Sequence, residues 1–323
     1  MANGARETGF RDRPSISAVV ITCNEAEVIE SCLMSVKSWV DEIVAVDMHS
    51  TDGTREIVER YADTVIEYDR LTYADPLRNF AFSRASGDWI LMLDPDERVP
   101  APLANELQQV AKAGEVDVVQ IPRQQVLFGR IARSPGASDG SHPRFFRRGT
   151  IDWPPNIHGS PNLSGLKTYE IPASRADLSI LHDTWRSVPI VLDKIYRYAP
   201  NDVTNLQAKG ESFSLGSMIG AAHRQFVGRM VDGRAYEDGM PGLLTAIYFA
   251  IYHLTIHAEL WEAEGRPTSF DWWIRKWGLR FAQCYKFLRF VRRILHRSTR
   301  HFDIIARPSN GRLKPVSLRS KPR

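Results

Sequence analysis

Cysteine is scarce in this chain of 323 residues: Cys23, Cys32 and Cys284 are all there is. An odd number with no zinc-like spacing and no redox pair argues against a disulfide scaffold, and a reducing, cytoplasmic compartment is the simplest reading. Met1 to Pro14 is polar and charged and lacks the apolar core of a signal peptide; it reads as a disordered leader, residues 1–14. Repeats and low-complexity stretches are absent. Charge of one sign is not in large excess either, at a formal +4, and no nucleic-acid-binding motif accompanies it, so no nucleic-acid partner is expected. The excess that exists is local: basic residues crowd positions 274–323, where acids are few, which points to an anionic neighbour for that end.

Glycine is missing where two common nucleotide-binding folds need it. After the first apolar run, Ile16 to Ile21, the turn reads Thr22-Cys23-Asn24-Glu25. A dinucleotide fold would place G-x-G-x-x-G there so that backbone could approach a pyrophosphate, and no P-loop is present. The same turn argues against a nucleotidyltransferase, which wants it glycine-rich and basic.

What is present is strand–helix alternation. Ile16 to Ile21, Glu42 to Val46, Thr64 to Tyr68, Trp89 to Leu93 and Asp117 to Ile121 are short and apolar or β-branched, as buried parallel strands are. Glu25 to Trp39, Asp52 to Tyr61, Pro76 to Ala85 and Pro102 to Ala113 carry helical spacing, with Asn24 and Ser50/Thr51 at N-cap positions and Gly87 and Gly114 at helix ends. This predicts an α/β doubly wound sheet with ligands at the carboxyl ends of its strands. Residues 122–184 are rich in proline, glycine and aromatics, with strand-like pieces at Arg144 to Arg147 and Leu178 to Leu181. They read as a mixed β region closing the site. Helical pattern follows from Val188 to about Phe302. The resulting division is a catalytic domain at 15–187, a helical region at 188–306 and a disordered basic tail at 307–323.

Acids cluster at the strand ends. Asp47 ends the second strand, and Asp94, Asp96 and Glu97 end the fourth in Leu93-Asp94-Pro95-Asp96-Glu97-Arg98. Two aspartates one residue apart beyond an apolar strand suit a hard divalent cation, Mg²⁺ or Mn²⁺, which keeps sites for phosphate oxygens. Such an ion neutralises a diphosphate leaving group. A D-x-D alone is common and can be a solvated turn; its place after Trp89 to Leu93, with Asp47 on a neighbouring strand end, is what raises it. His253 and His257, at i and i+4, imitate a metal pair, but they sit in an aromatic helix without a third ligand and read as packing.

Taken together, Val19-Val20-Ile21-Thr22-Cys23-Asn24-Glu25, Val46-Asp47 through Thr54, Arg78-Asn79 and Gly87-Asp88-Trp89 through Glu97 resemble glycosyltransferase family 2, the GT-A fold. The subgroup that the chain resembles is that of lipopolysaccharide-core glycosyltransferases, with the similarity continuing through His182, Lys194 to Ala199 and Asp238 to Gly242. The resemblance implies that Thr22, Asn24 and Glu25 line the nucleotide pocket, with Asp47 near base or ribose. Arg78 would face the base or diphosphate, and Asp94 the ribose or the metal. Asp96 would be the principal metal ligand, with His182 or His158 completing the metal shell. Two departures stand out: Pro95 between the aspartates, and Gly159 where related chains carry a glutamate after the histidine. The catalytic base therefore stays open among Asp152, Asp183 and Glu237.

Gly239 to Ala258 lacks Lys, Arg, Asp and Glu and is long enough to span a bilayer. Thr245, His253, Thr255 and His257 interrupt it, and a buried or interfacial helix is expected. Further on, Trp273, Trp277, Phe281, Cys284, Leu288, Val291 and Leu295 form an apolar stripe among Arg275, Lys276, Arg280, Lys286, Arg289, Arg292, Arg293 and Arg297. A basic amphipathic helix with tryptophans suits an anionic membrane surface, so residues 271–300 are a candidate membrane contact. The expectation is an inverting transfer from a nucleotide-diphosphate sugar to a saccharide or lipid-linked acceptor, peripheral to the inner face of the cell membrane. The alternatives are a small soluble acceptor or a non-catalytic sugar-nucleotide-binding scaffold.

Overall fold

The computed structural model of the chain describes residues 13–155, 159–268, 271, 274–286 and 289. The first apolar runs fold as expected into β1 (Ile16–Thr22), β2 (Glu42–Asp47), β3 (Thr64–Glu67) and β4 (Trp89–Leu93), and the helical patterns into α1 (Ile29–Lys37), α2 (Thr54–Tyr61), α3 (Arg78–Ser83) and α4 (Ala101–Ala113). β1 pairs in parallel with β2 and with β4, and β2 with β3. The order β3-β2-β1-β4 reverses direction between β1 and β4, which makes the mouth between those two strands the ligand crevice of a doubly wound sheet.

Alternation along each strand explains why both faces are buried. Ile16, Ala18 and Val20 of β1, Ile43 and Ala45 of β2, and Trp89, Leu91 and Leu93 of β4 pack against Ile29, Leu33 and Val36 of α1 and Leu103 and Leu107 of α4. The intervening Val19, Ile21, Val44, Val46, Ile90 and Met92 pack with Leu77, Ala81 and Phe82 on the other side.

Beyond β4 the sheet becomes mixed. β5 (Glu97–Arg98), β6 (Val118–Leu127), β7 (Arg130–Ile131), β8 (Ser138–Arg147), β9 (Thr168–Glu170) and β10 (Ile180–Trp185) complete ten strands in one sheet. β8 runs antiparallel to both β4 and β6, and β10 lies parallel to β6 and antiparallel to β5. Trp89 of β4 stacks on Phe145 of β8, with centroids 4.6 Å apart, and ties the two halves of the sheet together.

Three local expectations need correction. Asn24 and Ser50/Thr51 do not cap helices; the N-caps of α1 and α2 are Val28 and Gly53, without side-chain caps. Asn24 and Ser50 instead lace two strand-end turns together: Asn24 Oδ1 accepts from Thr51 N at 2.7 Å, and Asn24 N donates to Ser50 Oγ at 2.9 Å. Gly114 does end α4 in the left-handed region, but Gly87 follows α3 by four positions. Its hydrogen is needed because a Cβ there would lie 2.6 Å from Ser17 Oγ and 2.8 Å from Ser17 N on β1.

The helical region comprises α5 (Val188–Ala208), α6 (Leu215–Val227) and α7 (Met240–Ala263). Ala199 and Val203 of α5 pack on Ile256 and Leu260 of α7, and Trp185 stacks on Phe249 at 5.2 Å. Among the described residues α7 is the one helix long and apolar enough to cross a membrane by length and composition. Its Thr245, Ala246, Ile256, His257 and Leu260 are buried, whereas Met240, Ile247 and Ile251 are exposed. The Asp238 to Gly242 stretch is a latch. Asp238 Oδ1 accepts from Arg133 N at 2.6 Å, and a Cβ on Gly242 would collide with the Ala235 carbonyl. The chain divides into two compact units between Leu260 and Trp261. In the second unit, residues 274–286 are helical.

Candidate donor-sugar site

Three turns meet at the crevice: residues 22–26 after β1, 47–54 after β2 and 94–98 after β4. The first two are fixed to each other by more than the Asn24 and Ser50 bonds. Glu25 N donates to Thr54 Oγ1 at 2.8 Å and Ala26 N to Asp52 Oδ2 at 3.0 Å. Asn24 and His49 both adopt left-handed backbone, with φ of 56° and 51°. A polar asparagine tolerates that conformation when its side chain bonds locally, as Asn24 does here. Thr22 and Asp47 are buried at the floor, where Asp47 accepts from the hydroxyl and N–H of Ser50.

Asp94 and Asp96 have different partners, which separates their roles. Asp94 is held by two arginines: Arg144 Nη2 donates to Oδ2 at 2.8 Å, and Arg78 Nη2 to Oδ1 at 3.3 Å. Burial would raise its carboxyl, but Arg144 and Arg78 outweigh that and hold it well below the usual range. Arg78 is itself positioned by Asp75 at 3.1 Å and lies 4.9 Å over the Trp153 ring.

Asp96 faces the other way. Its Oδ1 lies 3.5 Å from His182 Nε2 and its Oδ2 3.3 Å from Lys194 Nζ. Burial pushes its carboxyl up, but the hydrogen bond and charge of His182 and then Lys194 pull it below the ordinary value. His182 shows the reciprocal effect: burial depresses the imidazole, yet Asp96 raises it overall. β10 brings the pair together, because His182 pairs with Glu97 across the β5 ladder and Asp183 N donates to the Asp96 carbonyl at 2.8 Å. Gln125 Nε2 lies 3.1 Å from His182 Nδ1, fixing the ring from behind. Glu25 completes this side. Its carboxyl is raised by burial first and by the Asp96 charge next, against the pull of Arg186, whose Nη2 is 3.1 Å away.

Sequence reasoning brings Thr22, Asn24, Glu25, Asp47, Arg78, Asp94, Asp96 and His182 to the crevice, and the structure places all eight around it. The base candidates are dispersed. Asp152 is exposed and accepts from Asn79 Nδ2 at 2.7 Å, next to Trp153. Asp183 lies 3.6 Å from Arg98, and Glu237 is paired with Arg234. His158 lies outside the described residues, so among these the convergent cation donors are Asp96 and His182. No group of three or more His, Cys, Asp or Glu side chains is placed to hold a metal among the described residues. The two-residue set still fits a cation that takes its remaining oxygens from phosphate and water, as Mg²⁺ and Mn²⁺ commonly do.

The sequence pattern does not single out Arg144, Arg123 and Gln125, and it groups Glu97 with the strand-end acids without giving it a role. Glu97 is fully buried, accepts from Asp94 N at 2.9 Å and from Arg144 Nη2 at 2.9 Å, and lies 3.6 Å from Arg123. The signal in the sequence is a basic residue directly before the apolar pair Phe145-Phe146.

Residues 17–166 match the family described as Glycosyl transferase family 2. An uncharacterized glycosyltransferase of Rickettsia felis is 41% identical over 95 residues, which are 29% of this chain and 33% of that protein. The SPbeta prophage-derived glycosyltransferase SunS of Bacillus subtilis is 32% identical over 128 residues, 37% of this chain and 30% of that protein. The matched stretch thus spans about a third of the length of these curated relatives. Among solved structures, the mannosyltransferase PcManGT of Pyrobaculum calidifontis, in complex with GDP-Man and Mn²⁺, is similar at 21% identity and a TM-score of 0.42, over 84% of this chain and 81% of that one. Nothing in these matches singles out the lipopolysaccharide-core subgroup; what they identify in this chain is a glycosyl transferase family 2 domain over residues 17–166.

Proposed function

We propose that the chain is an inverting, divalent-cation-dependent glycosyltransferase that moves a sugar from a nucleotide-diphosphate donor to a saccharide or lipid-linked acceptor. The observation that carries the reading is the division of labour at the β4 end, where Asp94 is neutralised by two arginines while Asp96 is turned toward His182 and Lys194. Asp96 and His182 would hold Mg²⁺ or Mn²⁺, and the ion would supply positive charge to the departing diphosphate. The chain's own residues do the rest. The turns at 22–26 and 47–54, pinned to each other, fix the nucleotide end. Arg78, already bound to Asp94, presents a guanidinium suited to phosphate or base. Lys194 adds a second cation from α5 on the same side as Asp96.

In the transfer, an acceptor oxygen attacks the anomeric carbon as the bond to the β-phosphate oxygen breaks, and that electron pair leaves on the diphosphate. The acceptor proton goes to a carboxylate. Among the three candidates Asp152 is the one without a cationic partner among the described residues, and we assign it the role on that ground.

The test is thermal stabilisation of the full chain by UDP, GDP and their sugars, with and without Mn²⁺. A nucleotide present at ~100 times its Kd stabilises by about 2.7 kcal/mol, a shift of a few degrees in Tm for a protein of this size. A Mn²⁺-dependent shift with one nucleotide is expected. No shift with any of them would remove the donor reading.

For the acceptor side we propose a lipid-linked saccharide reached from the cytoplasmic membrane face. Within residues 274–286, Ile274, Trp277, Phe281 and Tyr285 are exposed at steps of three and four, among Arg275, Lys276, Arg280 and Lys286. Trp273, Leu288, Val291 and Leu295 of the same stripe lie outside the described residues. The chain is expected to float with phosphatidylglycerol vesicles and not with phosphatidylcholine ones, and Trp277→Glu to abolish flotation. Flotation unaffected by Trp277→Glu, or equal on both lipids, would return the acceptor to the soluble class.

A further inference from the structure

An open pocket of about 700 Å³ lies between α5, α6 and α7, apart from the donor crevice. Asp202 and Asn205 come from α5, Lys209 and Glu211 from the turn after it, Arg224 and Gln225 from α6, and His253 and His257 from α7. It is the place where the i, i+4 histidine pair of α7 finds its setting.

We propose that this pocket is a binding subsite for an anionic saccharide, a sugar carrying a phosphate or carboxylate group. Three observations point the same way. His257 is 7% exposed, and its Nδ1 is a buried nitrogen with no hydrogen-bond partner in a wall of the pocket. A buried polar nitrogen left without a partner is uncommon in a folded protein. Arg224 and Lys209 stand exposed at the rim, and neither is in an ion pair among the described residues, which leaves two cations for one anionic group. Around them the pocket is lined by groups suited to hydroxyls: Asn205 and Gln225 offer both donor and acceptor, and Glu211 is an acceptor. Asp202 is already oriented by the Tyr252 hydroxyl, which donates to its Oδ2 at 2.5 Å. Burial pushes both imidazoles below their ordinary value, His253 as well as His257. A neutral imidazole has one donor and one acceptor nitrogen, the pairing a sugar hydroxyl can meet.

The pocket is coupled to the donor side by one helix. Lys194 and Tyr198 are one turn apart on α5, and Asp202 follows at the next turn on the same face. Lys194 meets Asp96 while Asp202 lines the pocket, so one helix, with Pro200 inside it, carries a contact to each site. Resting on the glycosyltransferase reading, this makes the pocket a holding site for the charged part of an acceptor whose reacting hydroxyl extends toward the donor crevice.

The experiment is a titration of the full chain, followed by ligand-observed NMR, with glucose 6-phosphate, glucuronate, inorganic phosphate and glucose. At least one of the two anionic sugars is expected to saturate, at least about tenfold tighter than glucose or phosphate. Arg224→Gln, an exposed position that tolerates change, should weaken it about tenfold, the worth of one charge-assisted hydrogen bond. Binding of nucleotide diphosphate with Mn²⁺ should be the same in that variant. Saturation by neither anionic sugar overturns the proposal, as does binding indifferent to Arg224→Gln. Phosphate binding as tightly as glucose 6-phosphate overturns the saccharide part and leaves an anion site. Because nucleotide binding is read separately, loss of the donor reading would show as absent nucleotide binding beside intact sugar binding.

Discussion

Asp96→Asn is expected to lower sugar transfer by about 10³-fold or more, the scale seen when a preorganised charge facing the reacting group is removed. The variant should remain folded. Asparagine keeps the volume and one carbonyl acceptor, and the 94–98 turn retains its backbone bond from Glu97 N to Asp94 O at 3.0 Å. What disappears is the negative charge that His182 and Lys194 both face. Two further readouts separate this from a packing defect. Burial depresses His182 and Asp96 is the strongest influence raising it, ahead of Glu97, so without the Asp96 carboxylate the imidazole should titrate lower than in the parent protein. NMR titration of the ring reports that directly. The Mn²⁺-dependent part of nucleotide stabilisation should vanish, while any metal-independent part survives. Transfer retained at more than a tenth of the starting rate would sink the assignment of Asp96.

The same geometry fixes a direction with pH. A proton on His182 competes with any cation for Nε2, and the raised imidazole holds that proton to higher pH than a free histidine does. Mn²⁺-dependent nucleotide binding should therefore strengthen as pH rises through the titration of His182.

Much of this site was legible because the sheet's logic is local. A parallel strand buried on both faces shows as an unbroken apolar run, so β1, β2 and β4 and the acids that follow them could be placed from sequence, and with them Thr22, Asp47, Asp94 and Asp96. The helix patterns locate α1 to α4 for the same reason, although residues 25–28 form a turn before α1, with the amides of Glu25 and Ala26 drawn to Thr54 and Asp52 and that of Val28 to the Glu25 carbonyl. Other parts depend on pairings far apart in the chain. Asn24 and Ser50 look like N-caps at their own positions, and only the parallel register of β1 and β2 shows that they serve each other. Gly87 looks like a helix end, and only the approach of Ser17 shows why glycine is needed. Arg144 lies in a strand-like piece of sequence, and nothing near it in sequence says that β8 lies beside β4 and carries its guanidinium to Asp94 and Glu97.

Arg144→Met is expected to cost about 3–5 kcal/mol of folding stability, the penalty for stripping one partner from a buried ion pair. Methionine fills much of the same space, so the loss is one of charge rather than volume. The Arg144 side chain is 5% exposed and Glu97 fully buried, so water cannot replace the lost donor. Arg123, 3.6 Å from Glu97, is too far for a direct hydrogen bond, and His182 acts on Glu97 only through its charge. Burial already pushes the Glu97 carboxyl up, with Arg144 the strongest opposing influence. Without Arg144 its folded-state pKa must climb further above the unfolded value, and the folded state then binds a proton that the unfolded state releases. The deficit should accordingly be smallest at low pH and grow as pH rises through the folded pKa of Glu97, so that by urea unfolding it is smaller at pH 5 than at pH 8. Glu97→Gln in the same chain should recover part of the deficit, since the amide oxygen can still accept from Asp94 N while no charge is left unpaired. A deficit independent of pH and untouched by Glu97→Gln would mean that Arg144 acts by packing alone, and that Asp94 is not held in place by the charge on β8.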